Sequence, residues 1–169
     1  FTDLYLESNK MDSFSKSDFE KRFTINNIEL LNKYFKQGQS VVFMCSHYSG
    51  YEWCACLPYF IKHNFLAVYT PVKNKYINDF MKKSRSRHGL ALISRYDALK
   101  KISILEKKNK KPHLYGLVAD QSPQIRTNNY WSKFLGVKVP VFTGSERIAK
   151  KYDLPVVYGK MKKIKRGYY

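Results

Sequence analysis

Three observations predict an α/β fold, a mainly parallel central sheet with helices on both faces. Short apolar runs at 41–45, 65–69 and 113–119 read as buried strands. Stretches of helical period separate them, and strands alternating with helices give a parallel sheet covered on both sides. The chain has 169 residues and a hydrophobic fraction of 44%, which suits one domain with one core.

The elements follow in order. Residues 3–10 read as a short helix, and Ser17-Asp18-Phe19-Glu20 fits a capping box for a second. Asn26 is placed to cap a helix over 27–36, with Ile28, Leu31 and Phe35 on one face and Gly38 as its stop. This helical lead-in, about 1–38, precedes strand 41–45. Residues 51–62 read as a helix bent near Pro58, and 65–69 as a second buried strand. A helix over 75–88 turns Ile77, Phe80 and Met81 inward and ends at Gly89. A short strand at 91–93 leads to a helix over 95–108, whose face runs Ala98, Ile102, Leu105 against a solvated lysine side. After strand 113–119, residues 120–135 read as irregular and polar. Thr143-Gly144-Ser145-Glu146 is a second capping box, opening a helix to about Tyr152, and 155–158 is a final strand. The whole of 1–169 is expected to form one domain.

Lys and Arg number 31 against 13 Asp and Glu, a formal charge of +18. That excess calls for an anionic partner: phospholipid, phosphorylated glycolipid, an acidic carrier protein or nucleic acid. Genomic base composition is an alternative source for part of it. Cys45, Cys54 and Cys56 give an odd count with a C-x-C pair, so the expectation is buried reduced thiols in a cytosol-facing protein and no zinc site. No apolar stretch of about 20 residues occurs in this sequence, and no signal peptide is expected from it. The sequence begins without Met and in mid-pattern, so a chain truncated at both ends is expected.

The chemistry-bearing stretch is Ser46-His47-Tyr48-Ser49-Gly50-Tyr51-Glu52-Trp53, just past the first strand. Ligands of open α/β sheets gather at that end. On one regular helix His47 and Glu52 would stand about 140° apart. They meet only if the chain turns between them, and Gly50 supplies that freedom. A carboxylate holding one imidazole nitrogen leaves the other free to take a proton from a hydroxyl.

Four blocks then carry a family resemblance: Ser46 to Trp53, an H-x4-E signature; Tyr69-Thr70-Pro71-Val72-Lys73-Asn74-Lys75 followed by Arg85 and Arg87; Val118-Ala119-Asp120-Gln121-Ser122-Pro123; and Phe134 to Gly144 leading to Leu154-Pro155-Val156-Val157. In this order and spacing they resemble the glycerolipid-type acyltransferase superfamily, and within it the lauroyl/myristoyl (HtrB/MsbB-type) acyltransferases of lipid A biosynthesis. The resemblance implies transfer of a fatty acyl group from an acyl thioester to a hydroxyl of a membrane lipid such as a lipid A precursor. The donor would be acyl carrier protein or acyl-CoA, with no metal, cofactor or covalent acyl-enzyme. It implies His47 as general base, Glu52 as its orienting partner, and Arg85, Asp120, Arg87 and Gln121 as substrate-binding residues. Arg85 suits an oxyanion or a phosphate equally. Gly136 and Gly144 either admit a close backbone approach or simply make turns. The implied location is the cytoplasmic face of the bacterial inner membrane, peripheral or anchored by a segment outside this chain.

Taken singly, each site residue has another reading. His47 is as readily a hydrogen-bonded structural histidine, Glu52 a helix N-terminus residue, Arg85 and Arg87 part of a solvated basic face, and Asp120 a turn residue. Gly50, Tyr51 and Thr70 stand where the lipid A branch commonly has Asn, Trp and Arg, which bears on acceptor preference, and the family's last strands are not evident. A nucleic-acid-binding module would use the same charge, but no recognition motif accompanies it, and nucleic acid is not the expected partner. A non-catalytic lipid-binding version of the fold is the other rival. The runs Lys107 to Lys111 and Lys160 to Arg166 are candidates for anionic headgroups, and the 51–62 helix for a wall of an acyl groove.

Overall fold

The computed structural model describes residues 2–108, 111–127 and 129–169. Five parallel strands form the central sheet in the order β3-β2-β4-β1-β7. They are β1 (Val41–Cys45), β2 (Asn64–Tyr69), β3 (Ala91–Ser94), β4 (His113–Val118) and β7 (Val156–Tyr158). Successive side chains of a strand point to opposite faces, and the core divides accordingly. Val41, Phe43, Cys45, Phe65 and Leu114 join one apolar cluster with Phe19, Trp53 and Leu57, beneath α1 (Thr2–Met11), α2 (Lys16–Arg22), α3 (Ile28–Lys36) and the segment Tyr51–Tyr59. Val42, Leu66, Ile93 and Tyr115 join the other with Ala98, Ile102, Ile148 and Ala149, beneath α5 (Ala98–Lys108) and α6 (Gly144–Tyr152). The expected α/β layering is therefore present.

The direction of each crossover places the site. From β1 the chain passes β4 to reach β2; from β4 it passes β1 to reach β7. Adjacent strands whose connections leave to opposite sides open a crevice at their carboxyl ends. Here those strands are β1 and β4, paired from Val41↔Leu114 to Cys45↔Val118.

Several local expectations are revised. The cap of α2 is Ser15, two residues before the expected Ser17, with Asp18 closing the box onto the Ser15 N–H at 2.9 Å. Asn27, in the left-handed conformation, precedes α3, and its side chain makes no cap bond; the Gly38 stop is present at φ 71°. Tyr51–Tyr59 winds as a 3-10 helix rather than the expected α-helix. Pro58 has no N–H to donate and its ring would meet the carbonyl four residues back, which disfavours α winding. Helix α4 (Lys75–Ser86) buries no residue, and Ile77 and Phe80, expected inward, are 53% and 52% exposed. It packs beside β3, the edge strand, where there is little apolar surface to cover it. Thr143 precedes α6 without a side-chain cap bond, its backbone at φ −102° and ψ 6° rather than in the extended conformation of a capping residue, and the Glu146 carboxylate pairs with Lys150 at 2.6 Å instead of closing a box. Finally, the stretch read as irregular contains β5 (Tyr130–Phe134), which pairs antiparallel with β6 (Val137–Val141).

Candidate active site

His47 and Asp120 each stand two residues beyond a strand, and Cys45↔Val118 is the last pair of the β1–β4 ladder. Extending that register brings them side by side. Asp120 accepts the His47 main-chain N–H on Oδ2 at 3.0 Å and faces His47 Nδ1 with Oδ1 at 2.8 Å. Burial alone would raise the Asp120 carboxyl, but the side-chain and backbone hydrogen bonds from His47 outweigh it and hold it below its ordinary range. An ionised carboxylate only accepts, so the imidazole proton sits on Nδ1 and Nε2 is the basic nitrogen. The two side chains are 34% and 35% exposed, so the pair is open to an incoming molecule.

Glu52 does not hold His47. Its carboxylate receives Arg85 in a two-pronged pair, Nε to Oε2 at 3.0 Å and Nη2 to Oε1 at 2.5 Å, with the side chains only 17% and 21% exposed. The expected His47–Glu52 dyad is thus replaced by two pairs, His47–Asp120 and Glu52–Arg85. The reason is geometric. The 3-10 helix starting at Tyr51 carries Glu52 toward the last turn of α4, where Arg85 presents a fork matched to a carboxylate. Burial depresses Arg85, yet the Glu52 hydrogen bond and charge more than compensate and raise it.

Tyr51 lies between the pairs. Its ring meets the His47 ring edge-on at 5.0 Å, and burial, then the charge and hydrogen bond of Glu52, push its hydroxyl up to about 12. The turn itself differs from expectation. Ser49, not Gly50, takes the left-handed conformation, at φ 55°. Gly50 is required for space, since a Cβ there would lie 2.5 Å from the Tyr169 ring. Beneath His47 the Cys45 thiol is lowered by its hydrogen bond with Cys54, despite burial, while Cys54 is raised well above its ordinary value. Tyr158, at the end of β7, donates to Ser46 Oγ at 3.3 Å.

A basic nitrogen held open to solvent at the carboxyl edge of the sheet suits removal of a proton from a hydroxyl, the first step of many group transfers. The sequence profile of bacterial lipid A biosynthesis acyltransferases matches residues 2–168. The chain belongs to that family. No curated protein matches it individually.

In this acyltransferase the remaining expected site residues are more dispersed. Arg87 caps the carboxyl end of α4 and lines a cavity of about 150 Å³ with Asp12, Phe80, Lys83 and Ser84. Gln121 is exposed next to Asp120 in the chain. Gly136 makes the β5–β6 turn at φ 81°, and Gly144 opens α6. Lys107 and Lys108 end α5, which runs back to the amino edge of the sheet, opposite His47; Asn109 and Lys110 of that run lie outside the described residues. Lys160 to Arg166 follow β7 and so leave from His47's edge. The partnership of Asp120 with His47, and the places of Tyr51 and Tyr158, escaped the sequence reading. The available signal was that His47 and Asp120 each stand just past an apolar run read as a buried strand, 41–45 and 113–119.

Proposed function

We propose that this acyltransferase moves a fatty acyl group from a thioester, on acyl carrier protein or CoA, to a hydroxyl of a membrane lipid such as a lipid A precursor. The observation that carries the mechanism is the double hydrogen bond of Asp120 to His47, which engages Nδ1 and leaves Nε2 outside the pair. His47 Nε2 takes the acceptor hydroxyl proton as the oxygen bonds to the thioester carbonyl. The tetrahedral intermediate collapses, the C–S bond breaks, and the proton on Nε2 goes to the departing thiolate. Asp120 stays ionised and stabilises the transient imidazolium. Arg85 keeps Nη1 outside its pair with Glu52 and offers positive charge for the oxyanion or an acceptor phosphate. Arg87 and Gln121 are proposed to contact the acceptor from the rim.

The whole of 1–169 is taken as one acyltransferase domain acting at the cytoplasmic face of the inner membrane. No helix among the described residues is long and apolar enough to cross a bilayer. The test offers purified protein acyl-carrier-protein and acyl-CoA donors against lipid A precursor, lysophospholipid and aminolipid acceptors. Acyl transfer that is lost in His47→Ala supports the reading, and the acceptor used names the substrate. Transfer that persists in His47→Ala overturns it.

A further inference from the structure

The β5–β6 hairpin carries three features at its tip that each cost stability in water. Leu135 adopts the left-handed conformation at φ 49°, followed by Gly136 at φ 81°. A two-residue turn of this kind selects Asn or Asp at its first position, and a left-handed leucine is strained. That same leucine is 89% exposed, with Phe134 at 66% and Val137 at 62% beside it. Directly behind the tip Lys133 faces Lys138 across the ladder, where like charges repel. Pro140 is the hairpin's one buried residue. An isolated two-stranded ribbon is marginal in water.

One environment relieves the exposed apolar tip and the facing lysines together: an anionic bilayer. We infer that the β5–β6 hairpin inserts its Phe134-Leu135-Val137 tip between lipids, with Lys133 and Lys138 at the phosphates and Tyr130 and Trp131 at the interface above. The inference rests on the reading of the acceptor as a membrane lipid. Strands of five residues reach about 17 Å, and seating the tip about 5–10 Å deep brings the lysines to headgroup level. Aromatic side chains favour the interfacial level that Tyr130 and Trp131 then occupy. A protruding tip demands a partner that conforms to it, which lipid does and a folded acidic protein does not.

The fold aims this element at the right place. The hairpin follows the loop that begins at Asp120, so it leaves from the sheet edge that holds His47. Tyr48, Tyr76 and Tyr96, which follow other strands at that edge, are 67%, 85% and 74% exposed. Insertion of the hairpin would hold the sheet edge that carries His47 against the bilayer that supplies the acceptor.

The experiment floats the full chain with phosphatidylcholine vesicles and with phosphatidylglycerol–phosphatidylcholine vesicles, without any acyl donor. Trp131 is half-buried whereas Trp53 is 1% exposed, so quenching of tryptophan by bromine on the lipid chains reports on the hairpin. Leu135→Asn suits the turn and should not lower the thermal midpoint. The expected result is quenching in the wild type and vesicle binding weakened about tenfold or more in Leu135→Asn, with a similar loss in Lys133→Gln/Lys138→Gln on anionic vesicles only. Leu135→Asn binding vesicles as tightly as wild type, or unquenched Trp131, overturns the inference. So does a loss of acyl-carrier-protein binding in Leu135→Asn while vesicle binding is unchanged. Turnover of detergent-dispersed acceptor is read separately: vesicle binding by the hairpin with no acyl transfer would sink the proposed reaction and leave the hairpin standing.

Discussion

Asp120→Asn separates the role of this carboxylate in chemistry from its role in stability. Asp120 offers one oxygen to the His47 main-chain N–H and the other to Nδ1. An asparagine has one oxygen and one NH2, so one of those two contacts must face a donor. If the amide keeps the main-chain bond, its NH2 points at Nδ1, and the imidazole proton moves to Nε2, the nitrogen needed as base. General-base help is worth about 10²–10⁴ in rate, so turnover should fall by that amount. Stability should hardly change. Both side chains are more than a third open to water, and pairs so exposed contribute about 0–1 kcal/mol after screening. The assay is steady-state acyl transfer beside a thermal melt, with Glu52→Gln as comparison. Wild-type turnover in Asp120→Asn, with loss in Glu52→Gln alone, would refute the reasoning and restore the pairing suggested by H-x4-E.

The Glu52–Arg85 pair predicts the converse pattern. Glu52→Ala leaves Arg85 largely buried without its partner and should cost about 3 kcal/mol, with Glu52→Ala/Arg85→Leu melting higher than Glu52→Ala alone. Gly50→Ala should cost about 1–3 kcal/mol by driving the Tyr169 ring away, visible as a lowered denaturant midpoint at unchanged slope. Burial holds His63, His88 and His113 below the ordinary histidine range. The unfolded chain therefore binds more protons than the folded one as the pH drops below about 6.5, and stability should fall there with decreasing pH. Denaturant melts between neutral and mildly acidic pH check the sign; a flat profile counts against the burial of these rings as the cause.

The alternation of apolar runs with helical stretches made the sheet legible, because burial on both faces leaves a continuous apolar signal at β1, β2 and β4. β5 and β6 were missed because neither is buried in that way; their pairing depends on a turn whose first residue is leucine rather than the asparagine that marks such turns. Within the site, the positions of His47, Glu52, Arg85 and Asp120 at the carboxyl edge follow from the local sequence, but their partners do not. Strand order decides which loops are neighbours, and nothing in the run 41–45 states that it pairs with 113–118 rather than with 64–69. Proximity in sequence favoured Glu52. Register gave His47 to Asp120.

The position of β4 has a consequence for how the protein comes into being. β1 and β2 share no ladder, and each is bonded to β4. A nascent polypeptide that has emerged only as far as β3 therefore has a gap where its middle should be, and His47 has no Asp120 carboxylate to steady it. Parallel pairings across such long separations are slow to form. The His47–Asp120 pair therefore assembles late, in the same event that closes the centre of the sheet, and on the proposed mechanism a prematurely released chain would be catalytically silent.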